Sequence, residues 1–334
     1  MTLLRTTLVG FICCSIQIAS AFQEPGATAQ LAPQVSIAPR FRAKGPAESS
    51  ILPHADLRVD VPLVLVPAHV TNRLGVAVTT LSRENFRVFE DNVQQKITYF
   101  VKEDAPVSVG LVFDSSASMR NKMRKAWEAA STFLKTANGL DEFFLIEFNE
   151  RPKLSVAFTR DAGEIFKGIA HARSFGRTSL LDAVQLALAQ MKHARNPHKA
   201  IVILSDGGDN RSRHTAGEIK TALLESDVQL YAMGIFDTAE QKKPTPEELN
   251  GPSLLDRLAQ ETGGTAFPVG NVSDLPTISA QIGNELRTQY LLGYSPANGN
   301  RDGKYRQLKV SLDPPPEMPP LQMHHRQGYY APSE

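Results

Sequence analysis

The residues best placed to do chemistry are Asp114, Ser116 and Ser118, which close the apolar run Val107-Ser108-Val109-Gly110-Leu111-Val112-Phe113 in the order Asp-x-Ser-x-Ser. Two later loops carry the same kind of atom. Gly176-Arg177-Thr178-Ser179 stands just before a helical pattern, and Ser205-Asp206-Gly207-Gly208-Asp209 stands just after another apolar run. Loops that follow neighbouring strands of an α/β sheet converge at one rim. Asp114, Ser116, Ser118, Thr178 and Asp206 are therefore placed to meet around one ion. All are hard oxygen ligands, a set that rejects soft metals and suits Mg²⁺ or Mn²⁺, which prefer octahedral oxygen sites and keep several waters. Asp-x-Ser-x-Ser alone is weak evidence, expected by chance in roughly one chain in ten of this length. The two further loops give it weight. Asp206 is preferred to Asp209 because it directly follows the strand.

The elements that must hold these loops can be read from the pattern around them. Short apolar runs rich in β-branched and aromatic residues read as strands covered on both faces. Such strands are expected at residues 107–113, 143–148, 200–205 and 228–235, with helices near 122–138, 179–193, 215–226, 254–261 and 274–287. This alternation predicts an α/β fold, a Rossmann-like doubly wound and mainly parallel sheet with helices on both faces, over residues 105–288. Ahead of it, residues 57–104 alternate in strand fashion around turns at Asn72-Arg73-Leu74-Gly75 and Glu90-Asp91-Asn92, which suits a small antiparallel β module. Behind it, residues 289–334 return to strand patterns at 290–294, 305–312 and 321–329. These are expected to pair with the β module or to extend the sheet.

Composition narrows the possible partners. The chain has 334 residues, 42% hydrophobic and 21% charged, enough to bury a full core. With 36 Lys and Arg against 35 acids and no dense basic tract, nucleic acid is not an expected partner. Residues 1–21 read as a secretory signal peptide: Arg5, an apolar stretch from Leu8 to Ile18, then Ala19-Ser20-Ala21. The stretch is shorter than the roughly 20 residues a membrane-spanning helix needs, so the mature chain is expected to be exported without a membrane span. The destination is periplasm, cell surface or medium. Cys13 and Cys14 both lie in the leader, which removes thiol catalysis, zinc-thiolate sites and disulfides from consideration. Residues 22–56, rich in Ala, Pro, Gln and Ser, read as a flexible linker.

The ordered Asp-x-Ser-x-Ser, Thr and Asp resemble the von Willebrand factor A domain family and its metal-ion-dependent adhesion site, over roughly residues 106–287. The resemblance implies that Ser116, Ser118 and Thr178 offer hydroxyls, that Asp114 and Asp206 act directly or through water, and that a partner protein's Asp or Glu completes the shell. One position departs from the family pattern, Ala117 where many members have Gly. The flanks Asn85-Phe86-Arg87-Val88-Phe89-Glu90-Asp91 and Gln289-Tyr290-Leu291-Leu292-Gly293-Tyr294 look like those of the exported bacterial proteins called VWFA-related acidobacterial domain proteins.

Plainer readings stand beside these. Asp114, Ser116, Ser118 or Thr178 would also serve as helix N-caps. Glu147, near the end of a covered strand, is either a supporting group or a solvent-facing strand end, and His324 and His325, on opposite faces of a strand, read as surface histidines. No His-Glu-x-x-His occurs, so a zinc protease is unsupported. The leading expectation is a non-enzymatic binding module, since a Mg²⁺ hydrolase would need a base or nucleophile that the loops do not offer. The alternatives are an α/β phosphohydrolase, which would want a second acid where Ser116 stands, and a structural domain whose metal site is vestigial.

Overall fold

In the computed structural model of the chain, residues 63–236 and 246–333 are described. The expected leader with both cysteines, the linker, and the alternating Leu57, Val59 and Val61 lie outside them. Four strands come first: β1 (Val64–Asn72), β2 (Phe86–Glu90), β3 (Val93–Gln95) and β4 (Ile97–Asp104). The α/β part follows as β5 (Val107–Asp114), α1 (Met123–Leu134), β6 (Glu142–Phe148), β7 (Pro152–Thr159), α2 (Ala162–Ala170), α3 (Leu180–Met191), β8 (His198–Ser205), α4 (Ala216–Glu225), β9 (Gln229–Ile235), α5 (Pro246–Thr262), β10 (Ala266–Val269) and α6 (Leu275–Arg287). The chain ends in β11 (Thr288–Tyr294), β12 (Tyr305–Leu312), β13 (Leu321–His325) and β14 (Gly328–Tyr330).

The central sheet has the order β10-β9-β8-β5-β6-β7, parallel except for β7, which runs antiparallel at the edge. Every residue of β5 and β9 is buried, as continuous apolar strands demand. Successive side chains of β5 go to opposite faces. Val109, Leu111 and Phe113 join Ala126 and Ala130 of α1 and Ile282 of α6, while Val112 joins Val184 and Ala187 of α3 and Leu223 of α4. This is the doubly wound, von Willebrand factor A-like fold. From β5 the chain moves to β6 on one side and later returns to β8 on the other. The crevice beyond the carboxyl ends of β5 and β8 is thus the place where strand order reverses, and where such sheets bind ligands.

Three elements go beyond the sequence reading. β7, α2 and β10 have no counterpart in it, and α5 extends well upstream of residue 254, through Pro252. Two of them carry a period: Leu154, Val156 and Phe158 alternate along β7, and Ile165 and Ile169 share the buried face of α2, so these two elements were legible in the chain.

The flanking strands are interleaved. One sheet has the order β13-β1-β11-β4 and the other β14-β12-β2-β3, so strands from before and after the α/β part alternate. Val66, Ala68, Tyr290 and Leu292 of the first sheet share a core with Phe86, Val88, Leu308 and Val310 of the second. Residues 57–104 are therefore not a separate small module: β1 and β4 meet only through β11, which lies between them. Between the sheets, Glu90 accepts hydrogen bonds from the Tyr294 and Tyr329 hydroxyls at 2.6 and 2.8 Å. The histidines of β13 are half-buried rather than fully exposed. His324 faces His69 across the β1 pairing, and His325 Nε2 accepts from the Val310 amide at 3.3 Å; burial pushes both below the ordinary histidine range.

Candidate metal centre

Backbone hydrogen bonds stitch the three motif loops to one another. The Phe175 amide donates to the Ser115 carbonyl at 3.0 Å and the Ala117 amide to the Gly176 carbonyl at 3.1 Å. The Asn210 amide donates to the Thr178 carbonyl at 3.0 Å, and the Thr178 amide donates back to Asn210 Oδ1 at 3.0 Å. Two glycines make the close fit possible. Gly176 and Gly207 have φ of +74° and +80°, and a Cβ on Gly207 would stand 2.5 Å from the Gly251 carbonyl oxygen of α5.

Within this frame the five expected ligands fall into three groups. Asp114 ends β5, wholly buried; its Oδ1 accepts the Ser116 amide at 2.8 Å and its Oδ2 the Ser205 hydroxyl at 2.5 Å. Ser116 and Ser118 present their hydroxyl oxygens 3.0 Å apart. Thr178 is buried, tied to the third loop through its backbone, and its hydroxyl has no hydrogen-bond partner among the described residues. Asp206 follows β8, also buried, and its Oδ2 accepts from Lys122 Nζ at 2.7 Å. Burial first, and then the neighbouring Asp206, push the Asp114 carboxyl up to about 7, against the pull of the Ser205 and Ser116 bonds. Two carboxylates that close in a dry rim call for positive charge.

The capping explanation does not account for these hydroxyls. Ser116 precedes the helical turn Ala117–Met119 without a side-chain cap bond, and the N-cap of α3 is Ser179, whose hydroxyl donates instead to the Asn149 carbonyl at 2.7 Å. Asp209 does have a structural task. Its Oδ2 accepts the Leu181 amide at the start of α3 at 2.9 Å and the Ser212 hydroxyl at 2.6 Å. Ala117 is exposed and does not take a positive φ, so its methyl meets no backbone penalty. Glu147 is half-buried and paired in register with Phe113 and with Lys153 on β7.

Three contributors escaped the sequence reading: Lys122, Ser205 and Asn210. Lys122 stands out among them once its place in the fold is known. It occupies the N-cap of α1, where the helix dipole disfavours a cation and no side-chain cap forms, so a buried lysine there needs another reason.

Residues 109–208 match the family model described as the von Willebrand factor type A domain. This segment is a von Willebrand factor type A domain. Among solved structures, the chain is similar to the conserved hypothetical protein BatB of Bacteroides thetaiotaomicron, with 19% identity, 54% of this chain and 98% of that one covered, and a TM-score of 0.43. It is also similar to a von Willebrand factor type A protein of Catenulispora acidiphila, with 11% identity, coverage of 80% and 73%, and a TM-score of 0.46. A third likeness is to the vWF domain of the type V pili tip protein Mfa5 of Porphyromonas gingivalis, with 25% identity, coverage of 32% and 39%, and a TM-score of 0.30. No curated protein matches the chain.

Exposed arginines outnumber exposed acids around the von Willebrand factor A loops: Arg120, Arg173, Arg177, Arg211 and Arg213 are exposed on the three segments, with the exposed Glu150 lying against Gly176. A cavity of about 1110 Å³ lies elsewhere: His198 and Gln229, at the opposite strand ends, line it together with Arg326. Among the described residues no helix is long and apolar enough to cross a membrane.

Proposed function

We propose that the chain is an exported, non-enzymatic von Willebrand factor A protein that binds a partner protein through a divalent ion, Mg²⁺ or Mn²⁺, at the rim of its central sheet. Asp114, Ser116, Ser118, Thr178 and Asp206 would hold the ion, and bound there it supplies a Lewis-acidic position for an outside oxygen. What supports this reading is that three loops tied to one another by backbone hydrogen bonds carry two buried carboxylates and three hydroxyls that no helix cap uses. The donor set fits the ion: all oxygen, two negative charges, the rest neutral. The exposed arginines around it suit a partner that presents an Asp or Glu.

The test is calorimetric titration of Mg²⁺ and Mn²⁺ into the full chain and an Asp114→Ala variant. Binding heat that disappears in the variant supports the reading. Equal heats, or none in either protein, defeat it.

One observation favours a second reading. The Lys122 ammonium already sits on Asp206, so the site carries a cation of its own, as a structural domain with a vestigial metal site would. The same titration separates the two. Turnover of generic phosphoesters lost in Asp114→Ala would instead support the phosphohydrolase alternative, for which the loops present no catalytic base.

A further inference from the structure

The Lys122 side chain reaches from the start of α1 to Asp206 Oδ2 at 2.7 Å, and the two side chains are 9% and 3% exposed. A buried ion pair of this kind adds little net stability, because desolvating both partners offsets most of their attraction. Local chemistry also opposes it, since an N-cap position favours Ser, Thr, Asp or Asn and a nearby negative charge. What the lysine does have is a place inside the ligand cluster.

The charges decide its effect. With both carboxyls ionised, as a bound divalent ion would hold them, Asp114 and Asp206 bring minus two and Lys122 returns plus one, so the side chains sum to minus one. A divalent ion added to two carboxylates alone would give a neutral site, complete without help. With Lys122 present the same ion leaves a surplus of one positive charge in a desolvated rim, and an incoming carboxylate brings the sum to zero. At such short range and in a low dielectric, an unbalanced charge outweighs the other interactions of the site.

We propose that Lys122 is a built-in competitor of the metal for Asp206, which makes the divalent ion and the anionic partner bind cooperatively: each weakly alone, both tightly together. This rests on the metal-binding reading above and adds to it a named residue and a regulatory consequence. The site is then selective for acidic partners by its charge balance as well as by its arginine rim, and it resists permanent occupation by free Mg²⁺. By linkage, the factor by which a carboxylate tightens metal binding is the factor by which the metal tightens carboxylate binding.

The experiment is calorimetric titration of MgCl₂ into the full chain in chloride buffer and in acetate buffer of the same ionic strength, acetate serving as the carboxylate probe. Wild type, Lys122→Gln, Lys122→Arg and Asp114→Ala are compared, with melting temperature in Mg²⁺ and in EDTA as a second readout. The glutamine keeps a hydrogen-bond donor toward Asp206 and removes only the charge. Expected is Mg²⁺ binding about tenfold tighter in acetate than in chloride for wild type. Lys122→Gln should bind Mg²⁺ in chloride at least tenfold more tightly than wild type, lose the acetate effect, and show a larger Mg²⁺-induced rise in melting temperature. Lys122→Arg should behave as wild type.

The inference is overturned if Lys122→Gln binds Mg²⁺ no more tightly than wild type, if its acetate effect persists, or if arginine and glutamine act alike. Should neither lysine variant fold, the acetate effect in wild type still decides: its absence overturns the cooperative claim. If no binding depends on Asp114 in any buffer, the metal reading itself has failed, which is a different outcome from metal binding that is indifferent to Lys122.

Discussion

The Ser205 hydroxyl donates to Asp114 Oδ2 at 2.5 Å, tying the carboxyl ends of β5 and β8 together at the point where the sheet reverses its strand order. The Ser205 oxygen also accepts the Gly207 amide at 2.9 Å, so one serine both holds the first acid and shapes the loop that carries the second. Ser205→Ala removes both bonds and leaves a buried carboxyl oxygen without its donor. It should lower unfolding free energy by about 2 kcal/mol in urea denaturation. A loss below about 0.5 kcal/mol would show that Asp114 does not depend on this contact.

Asp206 and Asp209 are separated by their partners. Asp209 supports the first turn of α3 through the Leu181 amide, and Asp206 faces Lys122. Asp209→Ala should therefore cost about 1 kcal/mol of stability, as loss of a cap does, and leave Mg²⁺ affinity within about twofold. Asp206→Asn should weaken Mg²⁺ binding at least tenfold, by about 1.4 kcal/mol or more. Calorimetry of the two variants side by side checks the assignment, and the reverse ranking would exchange their roles.

Gly207→Ala tests the loop frame. Its φ of +80° strains any other residue, and the added Cβ would press on the Gly251 carbonyl, which is backbone and has nowhere to retreat. Stability should fall by about 2 kcal/mol or more, with Mg²⁺ affinity falling as the third loop shifts. Gly139→Ala is the control: a Cβ there meets nothing within 4 Å, and its melting temperature should match wild type.

A buried acid away from the site sets part of the pH dependence. Burial pushes the Glu285 carboxyl of α6 up to about 7, although Gln281 and Thr265 donate to it at 3.0 and 3.4 Å. The folded chain thus holds this proton more tightly than the unfolded one, whose value is 4.5. Between these values the folded state keeps a proton the unfolded state has released, so this contribution falls as pH rises from 4.5 to about 7 and is flat beyond. The difference amounts to about 3 kcal/mol. Glu285→Gln should remove that slope, and chemical denaturation of both proteins at pH 5 and pH 8 measures it. Parallel pH profiles would refute it.

Much of the α/β part was visible because each covered strand is a contiguous apolar run and the motif residues stand directly at strand ends. Val107 to Asp114 shows strand, site and boundary in eight consecutive residues. Lys122 was not visible as part of the site because a lysine at a helix start looks solvated until tertiary packing buries it. Ser205 was hidden for a related reason: its neighbour across the sheet is ninety-one positions away in sequence. In the flanks, Val64, Val66, Ala68 and Val70 keep the strand alternation through β1, with Pro67 and His69 on its opposite face. The structure accommodates Pro67 because pairing with β13 begins one residue later, at Ala68, and the missing amide faces no partner there.

The interleaving of the flanking sheets has a consequence for synthesis. Asp104 and Thr288 are paired neighbours where the chain leaves and re-enters the flanking sheet, so the α/β part is an insertion whose two ends meet. A ribosome delivers β1 to β4 long before β11, β12 and β13 exist, and β1 and β4 then have no strand to pair with. The α/β part must therefore be synthesised in full before the two flanking sheets can acquire all their strands.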